Sequence, residues 1–272
     1  MEQGHSAMKV NTDGVLLGAW MDILPTDRVL LDVGTGSGVI ALMAAQRVAG
    51  IFGQGKTLCE ASACGVNECD GDSAEREIVG IDIDPGSVED ASMNFEKFES
   101  GEICKNTGCK LKMTACLCAV QNLEQHFPGK RYDLIFSNPP YFINALKSAD
   151  DAKSNARHTD MLSQGEMIRS ALQLLNYGGR LALILPSVEA EEFVRKTEFL
   201  VGAAKEGDRV LRLRRICKVH TLKSKPPKRW MLEFVLSDTA VENVEQTQLA
   251  IHENGEYTAG YRDITGDFYL NF

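Results

Sequence analysis

Val29-Leu30-Leu31-Asp32-Val33 runs directly into Gly34-Thr35-Gly36-Ser37-Gly38, and that turn runs directly into Val39-Ile40-Ala41-Leu42-Met43-Ala44-Ala45-Gln46. The first stretch is too apolar on both alternating faces for an exposed strand, so it predicts one covered on both sides. The last stretch reads as a helix. A buried strand, a glycine turn and a helix in succession form the ligand-binding opening of a doubly wound α/β sheet. The spacing is Asp-x-Gly-x-Gly-x-Gly, not the GxGxxG of a dinucleotide fingerprint. Gly34, Gly36 and Gly38 let the backbone approach a ligand closely. Asp32 places a negative charge at the strand's end, which suits an ammonium group better than a phosphate.

The alternation continues along the chain. Ile78-Val79-Gly80-Ile81-Asp82-Ile83-Asp84-Pro85 reads as a second buried strand ending in acid. In this architecture a carboxylate there bonds the hydroxyls of a ribose, and Asp82 is the expected one. Asp84 suits the cap of the following helix, predicted over 86–98 with Val88, Ala91, Ser92 and Phe95 inward. Further strands are expected over 110–117, 133–137 and 180–185. A helix over 163–177 is expected to stop at Gly178-Gly179. Ahead of them all, Thr12 or Asp13 would cap a short helix whose apolar face is Val15, Leu16, Ala19 and Trp20. These alternations predict one doubly wound, mostly parallel α/β domain over 1–272, with no internal repeat. The Gly-, Cys- and acid-rich stretch at about 49–77 reads as an inserted surface loop.

The fourth predicted strand, Asp133 to Ser137, ends in Asn138-Pro139-Pro140-Tyr141. Two consecutive prolines fix φ at both positions and remove two N–H donors, so the turn is stiff and its carbonyls are aimed. An Asn side chain and a fixed carbonyl can accept both hydrogens of one planar NH2 group, with the Tyr141 ring stacking on it. By itself the tetrapeptide is equally readable as a stiff turn closing a strand.

A net charge of −9 argues against a generally cationic coat for nucleic acid. Against that background, 209–229 holds nine Lys or Arg and no Asp or Glu, the pattern of a phosphate-binding face. Strand alternation would put Arg212 and Arg214 on one side. The other reading is a solvated edge strand guarded by charge. The eight cysteines form no CxxC pair, and reduced thiols with no resident metal are expected. No apolar run is long enough to span a bilayer, and the first residues show no secretory signal; a cytoplasmic protein is expected.

The glycine loop, the acid after strand two and Asn-Pro-Pro-Tyr after strand four, in that order, resemble the class I S-adenosylmethionine-dependent methyltransferases that act on an exocyclic or amide nitrogen. The flanks narrow this. Met8-Lys9-Val10-Asn11-Thr12-Asp13-Gly14-Val15-Leu16-Leu17-Gly18-Ala19-Trp20 is similar to the opening of the bacterial valine-tRNA adenine-N6 methyltransferases. Lys225-Pro226-Pro227-Lys228-Arg229 and the run from Tyr261 to Leu270 are similar to their C-terminal portion. The resemblance implies a Rossmann-like seven-stranded sheet and S-adenosylmethionine as cofactor, held by Thr12, Asp13, Asp32, Gly34, Gly36, Gly38 and Asp82. It implies a catalytic Asn138-Pro139-Pro140-Tyr141, and tRNA, most of all valine-accepting tRNA, as the partner. Arg157, Arg212, Arg214, Lys225, Lys228 and Arg229 would contact that RNA. No obligate protein partner is implied. The alternatives are a glutamine-N5 methyltransferase of release factors and an rRNA base N-methyltransferase. Two departures stand out: Asn11 replaces the usual Gly, and Cys116 or Cys118 stands where many relatives carry an Asp for the cofactor's adenine. Gln121 or Asn122 would then stand in.

Overall fold

The computed structural model describes residues 2–4, 10–53, 75–101, 110–139 and 162–269. Among them nine strands form one sheet in the order β3-β2-β1-β4-β5-β7-β6-β8-β9. Strand β1 (Val29–Val33) pairs in parallel with β2 (Arg76–Asp82) on one side and β4 (Tyr132–Ser137) on the other. Strand β3 (Leu111–Leu117) extends the sheet beyond β2, and β5 (Leu175–Pro186) extends it beyond β4, both in parallel. The chain thus winds away from β1 in both directions, which opens a crevice at the carboxyl ends of β1 and β4.

The two faces are covered because the strands are apolar on both. Leu30, Ile78, Leu134 and Phe136 pack on one side with α1 (Thr12–Trp20), α2 (Val39–Gly53), α3 (Pro85–Ser100) and Tyr261. Leu31, Val79, Ile135 and Leu181 pack on the other. There they meet α4 (Leu123–His126), α5 (Gln164–Leu174) and α6 (Ser187–Ala203). Each such buried Leu or Ile contributes about 1.5–3 kcal/mol relative to exposure.

The expected seven strands are present and two more follow. Strand β7 (Arg229–Ser237) runs antiparallel between β5 and β6 (Val210–Leu222). Strand β8 (Glu245–Glu253) then pairs in parallel with β6, and β9 (Glu256–Tyr257) turns back on β8. Helix α7 (Ala259–Thr265) follows, with the Thr258 hydroxyl accepting from the Tyr261 amide as its cap, and a 3-10 turn over Gly266–Phe268 is the last described element. β6 is therefore interior to the sheet, not an edge strand.

Two local expectations are corrected. Helix α5 ends at Leu174 rather than Tyr177, because Leu175 is already extended and pairs with Tyr132. Gly178 and Gly179 lie inside β5, where the register shifts between Tyr132 and Leu134. Gly178 has φ +77, and a Cβ on Gly179 would lie 2.8 Å from the Asn176 carbonyl, so the pair accommodates a bulge. Helix α1 is capped by Asn11, whose side chain accepts from the Gly14 amide at 2.8 Å, and not by Thr12 or Asp13. Helix α3 is capped by Asp84, as its sequence suggests, with Pro85 in the first turn. Helix α2 runs on to Gly53, so most of the expected insertion lies outside the described residues.

Candidate active site

A cavity of about 260 Å³ opens at the carboxyl ends of β1, β2 and β4. Its floor is the glycine loop. The Gly34 and Thr35 amides both donate to the Ile81 carbonyl at 2.9 Å, folding the loop over the end of β2. The Asp82 carboxylate then fastens it, accepting from the Gly36 amide and from the Asp84 amide at 2.9 Å each. Asp82 lines the cavity, and a carboxylate has about four acceptor positions, so two bonds leave it able to accept more.

The three loop glycines serve different ends. Gly34 sits at φ +71 with open space where a Cβ would be, so its backbone faces the cavity bare. Gly36 sits at φ +54 and also lines the cavity. Gly38, at φ +84, lies behind it: a Cβ there would come within 2.6 Å of the Phe95 ring. Its place is to let α2 and α3 close on one another, not to touch a ligand.

Asp32 also differs from its expected role. It is fully buried beneath the loop, outside the cavity lining, and accepts from the Thr35 hydroxyl at 2.8 Å. Burial pushes its carboxyl up to about 7, with the Thr35 hydroxyl and the Ala41 amide opposing and the Asp82 charge adding. Such a group shapes the loop from below and does not reach an ammonium directly.

The wall toward β4 carries the polar tip. Ser137 anchors β4 to β1 by donating to the Val33 carbonyl at 2.6 Å. Asn138 and Pro139 follow and line the cavity. The Asn138 amide nitrogen lies 3.4 Å from the Asn11 side-chain oxygen. With its NH2 directed at Asn11, the Asn138 oxygen is left to accept from whatever enters. Pro140, Tyr141 and Arg157 lie outside the described residues.

The opposite wall is the exit of β3. Cys118, Ala119, Val120 and Gln121 line it, and the Cys118 amide donates to the Asp82 carbonyl. Gln121 is thus the one of the two expected amides that reaches the cavity; Asn122 does not line it. Burial, followed by the neighbouring Cys116, pushes the Cys118 thiol up to about 12. Asn11 and Gly14 complete the rim; Thr12 and Asp13 do not line it. Asp13 pairs instead with Arg229, whose Nε lies 2.8 Å from its carboxylate. Asn11 was readable from the sequence only as a departure from a Gly.

The basic stretch divides. Strand register sets Arg229 beside Pro186 at the carboxyl end of β5, so Lys225, Lys228 and Arg229 sit at the cavity end of the sheet. Arg212 is level with Val235 and Arg180, toward the other end. Its guanidinium donates to the Ser237 and Asp238 carbonyls. Arg214 is the residue bulged out between Leu213 and Arg215. It pairs with the fully buried Glu233 and, at 3.0 Å, with Asp22. Burial pushes the Glu233 carboxyl up, Asp22 adds to the shift, and Arg215 and Arg214 oppose it. Of the two arginines expected to face RNA, Arg214 is thus engaged by acids distant in sequence and Arg212 by backbone carbonyls, so both side chains have structural partners within the chain.

Among the described residues no helix is long and apolar enough to cross a membrane. A methyltransferase-domain family matches residues 26–216. Three curated relatives bear the name tRNA1(Val) (adenine(37)-N6)-methyltransferase. That of Photobacterium profundum is 31% identical over 99% of this chain and 95% of its own length. That of Trichodesmium erythraeum is 32% identical over 100% and 95%. That of Parabacteroides distasonis is 34% identical over 97% and 92%. In fold, the chain is similar to an Agrobacterium tumefaciens structure described as a predicted O-methyltransferase, at TM-score 0.52, 17% identity and coverage of 94% and 96%. It is also similar to a Listeria monocytogenes structure described as a putative class I S-adenosylmethionine-dependent methyltransferase, at TM-score 0.55, 12% identity and coverage of 98% and 71%.

Proposed function

This chain belongs to the family of the tRNA1(Val) (adenine(37)-N6)-methyltransferases, and from that membership we propose that it methylates the exocyclic N6 of an adenine in tRNA. The adenine is the one directly 3′ of the anticodon, position 37, of valine-accepting tRNA, and the reaction takes place in the cytoplasm. One observation carries the reading: Asn138 and Pro139 share a single cavity with the glycine loop and Asp82.

The residues present suit S-adenosylmethionine. Gly34 offers bare backbone, and the Ser37 hydroxyl is buried at the cavity with no hydrogen-bond partner among the described residues. Asp82 keeps acceptor capacity for ribose hydroxyls, and Gln121 can address an adenine edge. Bound there, the cofactor supplies an electrophilic methyl group. Everything else falls to this chain's own groups.

The N6 lone pair of adenine is delocalised into its ring and is a poor nucleophile. The Asn138 oxygen and the Pro139 carbonyl, accepting from its two hydrogens, favour the tetrahedral, positively charged nitrogen that forms as the methyl is taken. That nitrogen then releases a proton to solvent. The base must first leave its stack, and Tyr141 supplies an aromatic face for it by the logic of the motif. Lys225 and Lys228 stand at the cavity end of the sheet to meet phosphates, with Arg229 held by Asp13. Arg157 remains an RNA contact expected from the sequence. The whole of 1–272 acts as one domain in this reading.

Labelled S-adenosylmethionine incubated with separated tRNA, tRNA lacking the anticodon-adjacent adenine, rRNA and release factor tests it. Label is expected in the intact tRNA alone. Label confined to rRNA or to release factor would replace the substrate proposed here.

A further inference from the structure

At the β3 wall of the cavity, which Cys118 helps to line, lies a cluster of thiols and imidazole to which the proposed methyl transfer assigns no step. Cys116 and Cys118 bracket the end of β3, two residues apart on one side of the chain, and His126 closes α4 opposite them. The two Sγ atoms and an imidazole nitrogen all lie within 4.8 Å of one another. Neither thiol is in a disulfide. The Tyr132 hydroxyl is buried with no hydrogen-bond partner among the described residues, and its electrostatic neighbours are Glu77, Cys118, Cys116 and Glu124.

We propose that Cys116, Cys118 and His126 form a binding site for a thiophilic divalent cation of the zinc class. Two sulfurs and one imidazole are the soft and borderline donors that such ions select, and a three-ligand set leaves one coordination position open. Ligand atoms around a tetrahedral zinc stand roughly 3.3–3.8 Å apart, given bonds of about 2.3 Å to sulfur and 2.0–2.1 Å to nitrogen. With all three atoms within 4.8 Å, the cluster contracts by at most about 1 Å to reach that. His126 is exposed and terminal on a four-residue helix, so it can make the approach. The ion takes the place of the thiol protons, which binding releases. It ties the exit of β3 to α4, and so braces the wall formed by Cys118, Ala119, Val120 and Gln121. The site stands on its own donor geometry and does not depend on which RNA is methylated.

The test uses the full chain, reduced and freed of metal, titrated with Co²⁺ and Cd²⁺. The expected result is one equivalent bound, with a thiolate-to-metal charge-transfer band and the visible bands of tetrahedral cobalt. Cys116→Ala and His126→Ala should each weaken binding by more than about 10-fold, the effect known for supporting residues alone. Because His126 is exposed, its variant is expected to keep the fold, which circular dichroism checks. Replacing Cys59, Cys64, Cys69, Cys104 and Cys109 together should leave the bands in place. The proposal fails if the intact chain gives no charge-transfer band, if the band survives in both single variants, or if it vanishes with those five cysteines.

Discussion

The side-chain nitrogen of Asn138 is 3.4 Å from the side-chain oxygen of Asn11, the same oxygen that caps α1 through the Gly14 amide. One acceptor thus serves two tasks: it starts a helix and it turns the Asn138 amide so that its oxygen faces the cavity. The residue that departs from the family's usual opening is therefore placed where it orients the proposed catalytic side chain.

Removing the Asn138 side chain should lower kcat while leaving the cofactor in place. Asn138→Ala is expected to raise the barrier by about 2–4 kcal/mol, the cost of one preorganised hydrogen-bond partner. The Kd for S-adenosylhomocysteine, by calorimetry, should change little. Parallel loss of affinity and turnover would remove Asn138 from the chemical step.

Asn11 can be probed by two substitutions with opposite outcomes. Asn11→Ala loses the cap and should cost about 0.5–2 kcal/mol of stability together with some turnover. Asn11→Asp keeps an acceptor for both Gly14 and Asn138 and should retain both properties. Urea midpoints and single-turnover rates on the two variants decide it.

Asp82→Ala should act first on cofactor binding. The substitution takes away an acceptor in the cavity and frees the Gly36 amide that shapes the loop. A weakened Kd for S-adenosylhomocysteine is expected, with turnover at saturating cofactor reduced less. An unchanged Kd would assign the carboxylate to loop geometry only.

The buried Asp32 makes stability depend on pH. Its folded value of about 7 lies above the ordinary 3.8, so between these limits the folded state holds a proton that the unfolded state has lost. This group's contribution is fully present below the unfolded value and is lost as pH rises toward 7. Asp32→Asn has no such term, so the stability of the native chain relative to this variant should fall between pH 4 and 7. The fall is on the order of a few kcal/mol, at about 1.4 for each unit. Urea midpoints of both proteins that ran parallel across this range would contradict it.

The divided basic stretch gives a paired prediction. Lys225→Glu with Lys228→Glu should raise the KM for tRNA, flatten its salt dependence and leave cofactor affinity alone. Glu233→Ala should do the reverse. It takes the buried partner from Arg214 and Arg215, which keep Asp22, so the cost is that of lost hydrogen bonds to a charged group, about 1–3 kcal/mol of stability, with the KM for tRNA unchanged. Tm and KM measured on both variants separate the two halves.

Asp82 and the loop over 34–38 were legible in the sequence because each is local: a strand's last residue and the turn after it carry their own placement. The Asn138 tip was legible for the same reason. The end of α5 is not legible locally: Gly178-Gly179 reads as a helix stop, whereas pairing of Leu175 with Tyr132, over forty residues away in the chain, draws that segment into the sheet. The cap of α1 is not decided locally, since Asn11, Thr12 and Asp13 are all good caps and only the folded chain selects Asn11 among them.

The sequence by itself determined a doubly wound α/β fold, a ligand-sized opening at the carboxyl ends of its strands, and a stiff polar tip on the fourth of them. Those properties follow from hydrophobic period and backbone stereochemistry, which act over a few residues. Tertiary structure decided which charges are available. It buried Asp32 under the loop, set Gly38 against Phe95, and turned Arg214 toward Glu233 and Asp22, leaving Lys225 and Lys228 at the cavity's end of the sheet. Partners far apart in the chain meet only when strands adopt their register, and a charge is spent or free according to that meeting.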